Sequence, residues 1–305
     1  MDRADLERVW ERSGGTAGVP LELDGASPAI CTLLGLPRAT SPASLAGAQV
    51  VALGLPMGGW DGAPAAVRAA SARYARWFPT AGSPQASHGA DYGDVVPGDD
   101  LAATFVRAHE RLADVLAVGA TPLVLGGDAL VTVPVLQVLS GKLHGKLGVV
   151  AFTAGFDSAP HPVYAPTSRW ARALELGLVE PDNLTLIGGR LDPPGRVAHE
   201  VLDELGAHLF AVDDVVAAGM AAVVQEALEH ATAGTEATYL SVDLGVLEAT
   251  DPAGLTAREV IGGVRAAAGS LLAAADICGV ADDAAALVAA RAAAEVAAGI
   301  AAQRE

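Results

Sequence analysis

The sequence is poor in cysteine, in aromatic residues and in positive charge, and each shortage excludes something. Only Cys31 and Cys278 are present in 305 residues. That is too few for a disulfide framework or a cysteine-built metal site. The apolar neighbours of both predict buried free thiols. Lysine and arginine total 19 against 36 aspartates and glutamates, a formal net charge of -17. A surface of that sign repels a phosphate backbone, which excludes nucleic acid as a partner. Aromatic residues make up 4%, and no basic stripe with interleaved aromatics is found. No apolar run reaches membrane-spanning length without a charge or a glycine, and the charged opening residues lack a secretory pattern. These features predict a cytoplasmic protein with no membrane partner.

What is present is a regular alternation. Residues 1–45 read as an N-terminal extension and residues 46–305 as a single α/β domain. Strands are expected at 51–56, 121–127, 147–155, 184–189, 206–212, 238–247 and 272–280. Helices are expected at 63–76, 101–119, 130–139, 168–177, 215–230, 256–270 and 282–301. Residues 78–100 are rich in Gly, Pro, Ser and Asp and read as one long loop of a functional kind. Strands alternating with helices, several of them continuously apolar, predict a mostly parallel sheet covered by helices on both faces.

In such a sheet, ligands bind beyond the carboxyl ends of the strands. Polar residues in glycine-rich surroundings stand at those ends: Gly126-Gly127-Asp128, Thr153 through Asp157, Gly188-Gly189-Arg190, and Asp243-Leu244-Gly245. The loop Asp91-Tyr92-Gly93-Asp94 joins them. One such feature alone is a tight turn with a capping Asp; together they mark a pocket. Asp157 and Asp243 are the candidate catalytic carboxylates, with His161 in the following loop as a candidate acid or base. Asp128, His88, Trp60, Phe156 and Glu248 are the candidate pocket residues. Trp60 follows the first strand and can form an apolar wall. His88 precedes the Asp91 loop. Phe156 can fill the space beside Asp157.

These segments, in this order, resemble the ureohydrolase family of arginases, agmatinases, formimidoylglutamases and guanidinobutyrases. Residues 62–71 are similar to that family's glycine-rich segment after the first strand. Asp91 to Asp94 resemble its Asp-x-Gly-Asp loop, and Gly126 to Leu130 its Gly-Gly-Asp-His-Ser motif. Thr153 to Asp157 resemble its Asp-Ala-His-x-Asp motif. Ile187 to Arg190 resemble a Gly-x-Arg strand end, and Ser241 to Pro252 its Ser-x-Asp-x-Asp-x-x-Asp-Pro segment. The resemblance covers the chain from about Val50 to Ala301. It implies a three-layer α/β/α fold of the arginase and deacetylase kind. It also implies a pair of manganese ions bridged by hydroxide, whose attack on a guanidinium or amidine carbon the metals make possible at neutral pH.

At the ligand positions of the motifs the resemblance breaks down. Ala129 stands in place of the first histidine. Thr153 and Gly155 replace an aspartate and a histidine of the second motif, and Gly245 replaces the second aspartate of the last. Asp157 and Asp243 are kept, and Glu248 falls at or beside an acidic position of the last motif. Alanine and glycine offer no ligand atom, and a neutral hydroxyl is a poor replacement for a carboxylate. The expectation is therefore no metal and no other cofactor. The protein should have lost manganese-dependent guanidine hydrolysis and kept a small-molecule pocket at the strand ends. The alternative is a metal-independent enzyme acting on a C–N bond of a cationic or amidine-like substrate. An ordinary metal-dependent amidinohydrolase is the weakest of the three readings. Carboxylates left without metals should share a proton or face a cation, either a cationic small molecule or an internal arginine such as Arg190. The family also implies a homo-oligomer, a trimer or a hexamer.

Overall fold

A computed structural model describes residues 31–58, 60–74, 89–143, 146–156, 165, 167–190, 193–249 and 252–303. Eight strands form one sheet: β1 (Val50–Leu55), β2 (Gly89–Asp94), β3 (Thr121–Gly126), β4 (Leu147–Phe152), β5 (Leu184–Gly189), β6 (His208–Ala211), β7 (Ala237–Asp243) and β8 (Leu272–Cys278). The helices are α1 (Ala63–Ser71), α2 (Leu101–Ala117), α3 (Thr132–Leu143), α4 (Arg169–Glu175), α5 (Pro193–Leu205), α6 (Val212–Ala218), α7 (Met220–Thr232), α8 (Ala257–Ala267) and α9 (Asp283–Ala302). The strand order is β2-β1-β3-β8-β7-β4-β5-β6 and every pairing is parallel.

Alternate residues of each strand feed two separate apolar clusters. Ala52, Leu123, Leu125, Val150 and Phe152 meet Val67 of α1, Val224 of α7, Val264 of α8 and the alanine face of α9. Val51, Leu53, Val124, Val149 and Ala151 meet Leu112 of α2, Leu136 of α3, Trp170 of α4 and Leu202 of α5. These are the three layers, and they follow from the two-residue period of a strand buried on both faces. The small side chains Ala289, Ala293 and Ala297 let α9 lie close in the first cluster.

The structure departs from the sequence reading in several places, among them the strand expected at 238–247, which ends at Asp243 and passes into a 3₁₀ turn at Leu244–Val246. The Asp91 segment is not part of a loop but the edge strand β2, paired to β1. Its Gly and Asp content argues against a strand; tertiary contacts decide otherwise. Helix α5 was not expected, because it opens on Pro193 and Pro194, although proline fits the first helical turn. Residues 212–232 form two helices, since Gly219 at φ 83° ends α6 and starts α7. Helix α3 begins only at Thr132, after a 3₁₀ turn at Ala129–Val131. Cys278 is buried as expected but Cys31 is exposed; the core positions beside it belong to Leu33 and Leu34.

Candidate functional site

The chain passes from β3 to β4 over the place that β8 and β7 later fill. The carboxyl ends of β3, β8, β7 and β4 therefore lie side by side at a switch in strand order, where α/β sheets open a crevice. A cavity of about 530 Å³ lies there, lined by Trp60, Gly127, Asp128, Ala129, Thr167, Arg169, Asp243, Gly279, Val280 and Ala281.

Glycines shape its walls. A Cβ on Gly127 would come within 2.7 Å of the carbonyl oxygens of Gly58 and Trp60. Only glycine lets the segment after β1 lie against the end of β3, which brings Trp60 to the cavity. Gly279 has φ +69°, and a Cβ there would lie 2.3 Å from Asp243 Oδ1.

The charged groups follow from the strand ends. Asp128 leaves β3 and caps the turn after it, accepting from the Leu130 amide at 2.8 Å. Burial pushes its carboxyl above the ordinary carboxylate value. The Leu130 amide and Arg169 oppose the shift, while Asp243 adds to it. Asp243 ends β7. Its Oδ1 accepts from the Gly245 amide at 2.9 Å, and its Oδ2 from Arg169 Nη2 at 2.8 Å. The same Arg169 nitrogen donates to Thr153 Oγ1 at 3.0 Å, and Thr153 Oγ1 donates to the Gly155 carbonyl at 3.2 Å. Arg169 is 3% exposed and Thr153 is 2% exposed. Burial works against the Arg169 charge, but Asp243, with Cys278 and Asp276 further off, outweighs it and raises the guanidinium above its ordinary value.

Below this layer lies a third carboxylate. Asp276 of β8 is fully buried, opposite Val124 of β3 and Ser241 of β7. It accepts from Tyr239, from Thr132 Oγ1 at 3.0 Å and from Ser241 Oγ at 3.1 Å.

Of the residues singled out in the sequence, Trp60, Asp128, Ala129 and Asp243 line the cavity, and Thr153, Gly155 and Gly245 hydrogen-bond beside it. Asp157, His161 and His88 lie outside the described residues. Phe156 is buried in the second apolar cluster, and Glu248 is exposed with its amide donating to Leu255; neither lines the cavity. Arg190, the internal arginine expected to face the carboxylates, donates to the Gly245 carbonyl at 3.3 Å. The arginine on Asp243 is Arg169, which sequence reasoning missed. It lies 74 positions from Asp243, and the only local signal was an arginine opening a helix after a proline-rich loop. Gly279, Val280 and Ala281 were missed too, since no polar side chain marks them.

A sequence profile described as the arginase family matches residues 42–302. The chain is similar to an arginase from Brevibacillus brevis, 33% identical over 179 residues, which cover 52% of this chain and 59% of that protein. It is also similar to a formimidoylglutamase from Halobacterium salinarum, 31% identical over 59% of this chain and 61% of that protein. A guanidinopropionase from Pseudomonas aeruginosa is 30% identical over 272 residues, 81% of this chain and 74% of that one. The matched part thus spans about six-tenths of the first two relatives. Among solved structures, a hypothetical agmatinase from Burkholderia thailandensis superposes with TM-score 0.78 at 23% identity, covering 90% of this chain and 91% of the other. The proclavaminate amidino hydrolase of Streptomyces clavuligerus does so with TM-score 0.75 at 22% identity, covering 89% and 97%. Profile, sequence relatives and sheet topology agree, and the chain belongs to the arginase family.

Proposed function

We propose that this arginase-family protein does not carry out manganese-dependent guanidine or amidine hydrolysis, and that its strand-end cavity is a binding pocket for a small organic cation. The observation that carries the reading is the Arg169 guanidinium seated on Asp243 and Thr153, two of the positions that correspond to metal ligands. The residues present do not fit a manganese pair. Ala129, Gly155 and Gly245 bring no donor side chain. Both oxygens of Asp243 are already engaged, and Thr153 is hydrogen-bonded on both sides. Hard dications need several anionic oxygens or imidazoles, and without a metal hydroxide, water is too weak to attack a resonance-stabilised guanidinium.

With Asp243 paired to Arg169, Asp128 is the carboxylate in the cavity lining without an ion-pair partner among the described residues. Beside it, the aromatic Trp60 and the apolar Val280 and Ala281 line the same cavity. A carboxylate in a cavity lined by an aromatic and by apolar residues suits an organic ammonium or amidinium with an apolar body. The relatives named arginase, formimidoylglutamase and guanidinopropionase are consistent with nitrogenous ligands at this end of the sheet. Homo-oligomerisation belongs to the same proposal, and a solution mass equal to one chain would remove it.

The test joins elemental analysis with calorimetry. The protein purified without added metal should contain no stoichiometric manganese, nickel or zinc. It should release no urea from arginine, agmatine or guanidinobutyrate in excess manganese. Asp128→Asn should weaken the binding of organic cations screened by thermal shift while leaving the melting temperature close to that of the parent. Two tightly bound metals per chain, or urea release at enzymatic rates, would overturn the proposal.

A further inference from the structure

Arg169 is a cation built into the chain where a cation from solution would otherwise be required. It sits at the start of α4, directly before the fully buried Trp170. Its guanidinium carbon lies 5.2 Å from the centre of the Trp170 ring. Two of its hydrogen bonds reach side chains at two different strand ends, Thr153 after β4 and Asp243 at the end of β7. The pair is largely buried at the cavity wall, with the Arg169 side chain 4% exposed and that of Asp243 14% exposed. A carboxylate so placed is poorly solvated, and without a partner it would destabilise the fold.

We propose that Arg169 is an internal counter-cation that replaces a metal in neutralising Asp243 and in tying the ends of β4 and β7 together. The idea rests on the reading above that no metal pair binds here. Two features distinguish the arrangement from an ordinary surface ion pair. The guanidinium bridges two residues whose positions correspond to metal ligands, so it does for the loops what a shared ion does: it joins two strand ends through one charge. A guanidinium is also a fixed charge, held by covalent attachment. The site is therefore assembled as the chain folds and owes nothing to metal supply, to chelators or to the loss of ligands at Ala129, Gly155 and Gly245.

The experiment is chemical rescue in the full-length protein. Arg169→Ala removes the cation and leaves a space shaped for a guanidinium beside Asp243. The variant should melt about 10 °C below the parent, the scale expected for an uncompensated buried charge in a domain of this size. Methylguanidinium at millimolar concentration should restore a large part of that loss, whereas ammonium at equal ionic strength should not. Calorimetry should show the variant binding methylguanidinium at least about tenfold more tightly than the parent. A chelator should leave the melting of the parent unchanged. A folded variant that methylguanidinium does not stabilise would overturn the role given to Arg169. Should Arg169→Ala fail to fold, the double variant Arg169→Ala with Asp243→Asn removes both charges and should fold. If it is no more stable than the single variant, the proposal also fails. Manganese uptake by the unaltered protein would remove the proposed function and this role with it. Failed rescue in a protein that takes up no metal would remove this role alone.

Discussion

Arg68 on α1 grips Asp91 on the edge strand β2 through two hydrogen bonds, from Nε at 2.7 Å and from Nη2 at 3.0 Å. Both residues are buried, and Asp91 also accepts from the Leu33 amide at 2.7 Å. Burial works against the Arg68 charge, but Asp91 and Asp94 outweigh it and hold the guanidinium above its ordinary value. The cluster fastens an edge strand of weak strand-forming sequence and the segment around Leu33 to the body of the domain. Arg68→Met would leave Asp91 buried and uncompensated, at an expected cost of about 3–5 kcal/mol. Denaturant unfolding measures this, and a loss below about 1 kcal/mol would place the pair with weak surface ion pairs.

A second prediction concerns pH. Burial pushes the Asp276 carboxyl above its ordinary 3.8, and the hydrogen bonds from Tyr239, Thr132 and Ser241, together with Arg169, only partly oppose this. An acid whose folded value is raised binds its proton more tightly folded than unfolded. Its contribution to stability is fully present below pH 3.8 and is lost as pH rises through the folded value. Asp276→Asn keeps the size of the side chain and removes the titration. The variant should lose less stability than the parent as the pH is raised above 4, which melting curves across a pH series would show. Identical slopes in parent and variant would contradict the raised value.

Restoring metal ligands tests how far Arg169 blocks the old chemistry. Ala129→His, Thr153→Asp, Gly155→His and Gly245→Asp rebuild the missing donors. Gly155 has room among the described residues, since a Cβ there meets none of them within 4 Å, while a Cβ on Gly245 comes 3.1 Å from Asp243 Oδ1. The fourfold variant should still take up little manganese, because Arg169 holds Asp243. Adding Arg169→Ala should allow uptake. Elemental analysis after dialysis against manganese decides, and equal uptake by the two variants would show that Arg169 is no obstacle.

Two adjacent glycines of α8 should respond oppositely to the same change. A Cβ on Gly262 meets nothing within 4 Å, whereas one on Gly263 would lie 2.7 Å from the Phe152 ring and 2.8 Å from Met220 Sδ. Gly262→Ala should stabilise by about 0.5–1 kcal/mol, the helix preference of alanine over glycine. Gly263→Ala should destabilise by about 1–3 kcal/mol through overpacking against the sheet. Thermal melts of both variants provide the check. A stabilised Gly263→Ala protein would mean that Phe152 shifts aside easily.

The sequence by itself determined the class of fold and the strand ends at which the candidate site was sought. Continuous apolar strands such as Leu147–Phe152 and the helix from Asp283, with its capping Asp282, are local signals. Period and capping depend on neighbours a few residues away, and such interactions are written consecutively in the chain. The strand-end positions of Asp128 and Asp243 were legible for the same reason, since a ligand crevice in a parallel sheet follows from its topology. The chain length between partners set the limit. Gly89–Asp94 reads as loop because its strand conformation is imposed by Val50–Leu55, by Arg68 and by the hydrogen bonds of Asp91 to Pro37 and Ala39. That Arg169, and not Arg190, neutralises Asp243 depends on where α4 starts and on which strand ends stand side by side. Charge pairing across 74 residues leaves no trace in local pattern. Coulomb attraction and burial act on distance in space, and only the packed sheet sets that distance.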